Sequence, residues 1–261
     1  MPTAYGTELV TALSALIASF LSGLLGIGGG VVLTPLLLYL PPAIGIGALP
    51  VKIITGLTIV QAISGSVLGA FRHRAYGNVS ARLVLTMGPT GAAASLVGAL
   101  VSRDVDDRVL LGIFAVLALA TAAMLLLPAE PQQTGTGDLR LNVPLAVGIS
   151  IVLGFLGGMV GIGAIATIIG ALVYLLRVPA RIAIGSSLGI GMFAAVAALI
   201  GKAATAQIDP PLAAIVALVA LVASPIGAWV SIRTHPQLLM RILAAVVIIA
   251  ALRMAASAVF G

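Results

Sequence analysis

The residues in this chain best suited to chemistry are ones that lack side chains. Gly23-Leu24-Leu25-Gly26-Ile27-Gly28-Gly29-Gly30 and Gly158-Met159-Val160-Gly161-Ile162-Gly163 interrupt long apolar runs. Clustered glycines weaken a helix and leave backbone N–H groups unobstructed. A helix N-terminus adds partial positive charge to such groups, so each cluster offers donors suited to an anion. The competing reading is close helix packing, the usual service of glycine in membrane helices. Duplication of the cluster, with a short apolar piece after each copy, favours a binding site. Gly28, Gly29, Gly30, Gly161 and Gly163 are the candidate amide donors.

Hydroxyls, one amide and one cation extend this set. Thr55, its counterpart Ser186, and Ser187 stand near the starts of apolar runs, where a hydroxyl can cap a helix or donate to an anion. Thr34 lies one turn past the first cluster, and the Gln61 amide sits deep in an apolar run, where it cannot be left unsatisfied. Lys52 has no acid between itself and Glu8; its ammonium could draw in an anion or snorkel to the interface. Other chemistry is thin. The chain has no Cys, two His and seven acids, which excludes thiolate metal sites and leaves little for acid–base catalysis. His73 falls in the basic loop Arg72-His73-Arg74, Asp104, Asp106 and Asp107 alternate with Arg103 and Arg108, and Asp209 reads as a helix cap. An intramembrane enzyme is disfavoured, and no metal or cofactor is expected. Gly26–Gly30 lacks the following Lys-Ser/Thr of a phosphate loop.

Composition decides which elements hold these residues. Of 261 residues 61% are apolar and 8% charged, against about a quarter charged in a soluble domain. The bilayer is therefore the solvent. Windows free of Asp, Glu, Lys and Arg run over 9–51, 53–71, 83–102, 109–129, 141–176, 182–201 and 210–232, with a last apolar segment at 238–260. Two windows, 9–51 and 141–176, each hold a span plus a short piece broken at a glycine cluster, near 31–40 and 164–176. The expectation is an all-α polytopic membrane protein of eight to ten helical segments. The 13 basic residues are scattered between apolar runs, which suits headgroup anchors and not nucleic acid. Met1–Glu8 carries no Lys or Arg and reads as mature chain, not as a signal peptide.

An internal repeat organises the segments. Gly23, Gly26 and Gly28 match Gly158, Gly161 and Gly163; Tyr39 matches Tyr174; and Thr55-Gly56-Leu57 aligns with Ser186-Ser187-Leu188. Halves at 1–127 and 141–261 are joined by a polar linker at 128–140. Five pieces per half is an odd number, so similar halves must lie in opposite orientations. Arg72, Arg74, Arg82, Arg140, Arg177, Arg181, Arg233 and Arg241 fall on one side, against Lys52, Arg103, Arg108, Lys202 and Arg253. That excess makes the first side cytoplasmic.

These motifs resemble a known family, the sulfite exporter TauE/SafE (TSUP-type) membrane transporters. The resemblance rests on Gly23–Gly30 followed by Pro35-Leu36-Leu37, on the degenerate copy at Gly158–Gly163, and on the stretch from Pro179 to Gly185-Ser186-Ser187-Leu188. Departures are Ala164 and Ile165 in place of Gly29 and Gly30, Gly170 in place of Pro35, and Gly56 where a Ser is usual. The resemblance implies a multi-pass protein of a prokaryotic-type inner membrane moving sulfite, organosulfonates or small organic acids. The expected function is a secondary transporter of a small anion by alternating access between the repeats, with H+ or Na+ as coupling ion. The alternative is an integral subunit that anchors or regulates another complex. The sequence carries no signal of oligomeric state.

Overall fold

A computed structural model of the chain describes residues 4–25, 29–75, 79–126, 141–161, 165–231, 248–249 and 251–257. The linker at 128–140 and the loop charges Arg140, Arg233 and Arg241 lie outside the described residues. The helices are α1 (Ala4–Leu25), α2 (Gly30–Ala43), α3 (Val51–Ala75), α4 (Ala81–Val101), α5 (Asp107–Leu126) and α6 (Val143–Val160). They continue with α7 (Ile165–Gly170), which runs into a π-helical turn at Ala171–Leu175, then α8 (Ala180–Ala204) and α9 (Pro210–Ser231). A further helical stretch covers 251–257, and no strand occurs among the described residues. Six of these helices are long and apolar enough to cross a membrane. The protein is an all-α polytopic membrane protein. Large apolar side chains such as Leu85, Val116, Ile200 and Leu218 lie exposed on outer faces, as they do where the solvent is lipid.

Span boundaries follow the polar punctuation. Ser80, Asn142 and Asp209 each accept a bond from the amide three residues on, at 3.4, 3.2 and 3.0 Å, and so start α4, α6 and α9. Asp209 is thus the cap that Pro210-Pro211 suggested. The two glycine clusters interrupt helices as expected: α1 and α2 are separate, as are α6 and α7.

Two glycine interfaces hold the bundle together. In one, Gly23 of α1 lies against the Ser224 carbonyl of α9, and Gly227 against the Phe20 carbonyl. In the other, Gly158 of α6 lies against the Ser95 carbonyl of α4, and Gly98 against the Phe155 carbonyl. The same pattern, Phe-x-x-Gly on one helix against Ser-x-x-Gly on the other, occurs in both. Helices α4 and α6 run parallel, since Met87 meets Ser150, Gly91 meets Gly154 and Ser95 meets Gly158 in step, and in each interface the partner belongs to the opposite half. The matched tyrosines repeat this exchange. Tyr39 bonds Ser257 Oγ at 3.3 Å, and Tyr174 donates to the Met124 carbonyl of α5 at 3.4 Å. Counterpart helices α3 and α8 are antiparallel: Thr55, early in α3, touches Lys202, late in α8.

A side chain at any of these four glycines meets a carbonyl inside its van der Waals radius, and such overpacking costs about 1–3 kcal/mol or more. Gly158→Val should therefore lower the detergent-solubilised melting temperature or prevent folding. Gly112→Ala, in α5 with open space around it, should match wild type in the same fluorescence size-exclusion and thermal assay.

Candidate functional site

Both breaks turn on a left-handed glycine, at different ends of a helix. Gly29 (φ 65°) precedes α2, and Gly161 (φ 72°) follows α6. A Cβ in this region is strained, so the glycines are required locally. Gly29 has no side-chain cap; its carbonyl accepts from the Val32 and Leu33 amides, both at 3.0 Å. The Gly30 and Val31 amides precede the first helical bond and form the positive end of α2. Gln61, close to the midpoint of α3, sits over this end: a Cβ on Gly29 would lie 2.6 Å from Gln61 Nε2. Gln61 is buried, and its Nε2 donates to Ser19 Oγ at 3.1 Å. Its Oε1 has no partner among the described residues, nor do the buried Thr11 and Ser14 hydroxyls of α1.

The second break presents the opposite pole. At the carbonyl end of α6 lies Lys202, expected from the sequence as a loop charge but wholly buried, with 0% exposure. Its Nζ donates to Thr55 Oγ1 at 2.9 Å, Ser102 Oγ at 2.8 Å, Gln207 Oε1 at 2.8 Å and the Met159 carbonyl at 2.9 Å. An ammonium has three protons, so one is shared between two acceptors. Three helix C-termini converge here: Met159 ends α6, Ser102 caps α4, and Lys202 occupies the last turn of α8. The negative poles of these helices favour a cation. All four partners are neutral, and no Asp or Glu is buried among the described residues.

Glycines shape this second site by close approach. Gly161 lies against the Thr55 carbonyl and the Thr58 hydroxyl, so α6 ends directly on α3. Gly56 lies against the Gln207 carbonyl, which lets the segment after α8 rest on α3. The departure at Gly56 thus has a steric reason, since a Ser there would displace Gln207.

The predicted residues scatter between these sites. Gly29, Gly30 and Gln61 come together at the start of α2, and Thr55 and Gly161 come together at Lys202. Gly28 and Gly163 lie outside the described residues. Thr34 bonds back to the Gly30 carbonyl at 3.0 Å, and Ser187 to that of Ile184 at 2.8 Å. Ser186 accepts from the Ser80 amide at 3.0 Å and so anchors the start of α4. Lys52, half-buried, donates to the Arg103 carbonyl and ties α3 to the loop after α4. Arg253 is exposed, with its guanidinium 5.8 Å from the Tyr39 ring centroid. Lys202, Ser102 and Gln207 escaped the sequence reading because a charge was taken to mark water. The available signal was the polar set Lys202, Thr205 and Gln207 directly after an uninterrupted apolar run.

Comparison with known proteins bears on this geometry. The family profile for sulfite exporter TauE/SafE matches residues 11–254. The chain belongs to this family. Curated relatives of the TauE/SafE chain are named probable membrane transporter proteins. One from Xylella fastidiosa is 30% identical over 199 residues, 73% of this chain and 72% of its own length. YjnA of Bacillus subtilis is 26% identical over 254 residues, 93% of this chain and 97% of its own. One from Methanocaldococcus jannaschii is 24% identical over 231 residues, 85% of each chain. No solved structure gives a significant match. The TauE/SafE match spans both glycine breaks and the Lys202 cluster.

In this TauE/SafE chain Gln207 holds its cluster from both ends: Oε1 accepts from Lys202, while Nε2 donates to the Ala99 carbonyl at 3.1 Å and to Thr205 Oγ1 at 2.7 Å. Gln207→Leu should lower stability by about 2–4 kcal/mol, since buried polar partners are left unmade. Ser187→Ala should change it by less than about 0.5 kcal/mol, because the hydroxyl only bonds back within its own helix. Thermal unfolding of the purified variants in detergent measures both.

Proposed function

We propose that this chain is a secondary transporter of small anions, working by alternating access between two inverted halves in a prokaryotic inner membrane. The observation that carries the reading is the sign of the buried charge. Lys202 is a positive group inside the bundle, and no buried carboxylate offsets it among the described residues. A net positive interior attracts an anion and repels a free cation, strongly so at low dielectric. Family membership and the names of the relatives support a membrane transporter. The family's description makes sulfite the first solute to test, and organosulfonates and related small oxyanions, of similar charge and acceptor geometry, come next.

The anion would dock at the start of α2. The amides of Gly30 and Val31, ahead of the first helical bond of α2, supply donors there, as at other helix N-termini that hold oxyanions. Gln61 Nε2 is the carboxamide atom nearest the break, so its second proton can donate to an oxyanion there while the first stays on Ser19 Oγ. Thr55, expected as an anion donor, has its proton on the Lys52 carbonyl at 2.8 Å; in this reading it acts through Lys202. The inverted arrangement is supported by the antiparallel course of α3 and α8 and by the matched glycine and tyrosine exchanges.

In proteoliposomes loaded with sulfite or a small organosulfonate, Gln61→Leu and Gly29→Val should each cut flux at least about tenfold, the equivalent of about 1.4 kcal/mol. Insertion and elution profile of Gln61→Leu should stay at wild-type values, whereas Gly29→Val, strained at a left-handed position, should insert but melt lower. Wild-type flux in both variants would remove the proposed docking site. Absence of flux in wild type across the anion panel would favour the accessory-subunit reading.

A further inference from the structure

We propose that the Lys202 cluster is a monovalent-cation site whose occupant is the protein's own ammonium. The surrounding atoms are wired as acceptors. The Thr55 proton is committed to the Lys52 carbonyl at 2.8 Å, and the Ser102 proton to the Ala99 carbonyl at 2.7 Å, with Gln207 Oε1 as a second acceptor at 3.1 Å, so neither points at Lys202. Both Nε2 protons of Gln207 are engaged elsewhere, at Ala99 and Thr205, so only its oxygen can face Lys202. Two hydroxyl oxygens, one amide oxygen and one carbonyl oxygen therefore turn lone pairs to a single point, each 2.8–2.9 Å from Nζ.

Neutral oxygens of these types are what strips water from an alkali cation in a selectivity filter. Divalent ions instead take carboxylates, which the cluster lacks. The converging C-terminal ends of α4, α6 and α8 add negative potential without adding a formal charge. Without the amine the cage is neutral and suits one singly charged ion. An ammonium and a potassium ion are close in size, so the tethered head fits where a free ion would. The functional consequence rests on the transport reading: a carrier with this site permanently filled needs no Na+ loaded there. That removes Na+ at this position as the expected coupling ion.

The test uses the purified full chain in detergent, with melting temperature read in choline, Na+, K+ and methylammonium chlorides at equal ionic strength. Wild type should melt at one temperature in all four. Lys202→Ala, which empties the cage, should melt lower in choline and rise saturably by about 5 °C or more in methylammonium or K+. Lys202→Gln, which fills it with a neutral amide, should melt low and ignore the cation. The proposal is overturned if wild type gains as much from Na+ or K+ as Lys202→Ala does, or if Lys202→Gln gains equally. It is also overturned if no cation recovers Lys202→Ala, whether the protein fails to respond or fails to fold in every salt. No transported solute enters the assay, so its failure leaves the anion reading standing, and a flux failure leaves this site standing.

Discussion

A lysine ammonium with no counter-carboxylate cannot sit inside a membrane bundle unless oxygens replace its water, and that requirement fixes much of this architecture. Four acceptors reach Lys202, from α3, the end of α4, the end of α6 and the segment after α8. For those atoms to meet, α4, α6 and α8 must stop at one depth and α3 must begin there. The left-handed Gly161 stops α6 where its Met159 carbonyl can be used. Bonds to charged groups contribute about 1.5–3 kcal/mol each, and a buried charge left uncompensated costs about 3–5 kcal/mol, so the ammonium is held only while the whole set of acceptors is in place. The cluster therefore acts as a vertex for four elements, not as an ornament on one.

The two breaks divide the electrostatic labour. In the first half the amide end of α2 lies beside a buried carboxamide; in the second, the carbonyl end of α6 is closed on an ammonium. The halves share contacts at Phe20 and Phe155, at Gly23 and Gly158, and at Tyr39 and Tyr174, yet differ where polarity matters. Gln61 and Lys202 have Met192 and Phe71 at the equivalent positions. Packing is duplicated and chemistry is not. A binding region with one pole for the solute and another for a fixed cation follows from that division.

The helices were legible because charges in a chain with so few of them fall mostly at water. Ile53–Phe71 lies within α3, and the windows at 83–102 and 210–232 match α4 and α9 to within two residues at each end. The same rule hid Lys202: it closed the window at Gly201, whereas α8 runs on to Ala204 and buries the amine. Glycine clusters and Gln61 could be read from local pattern, since each is anomalous in an apolar run. The Ser102–Gln207–Lys202 association could not, because hydroxyl and amide residues near span ends are ordinary and only the fold brings three ends together. Thr55 was found for its repeat position and given to an anion, while the structure gives its lone pair to a cation.

The exchange of glycine contacts between halves has a consequence for synthesis. The glycine face of α1, at Phe20 and Gly23, takes its closest backbone partner from α9. The ribosome makes α9 only after most of the chain has left it. Until then that close-packing surface faces acyl chains or an insertion chaperone, and the first half waits as an unfinished assembly. Cutting the gene at the linker and expressing only the front portion would strand α1 in that condition permanently.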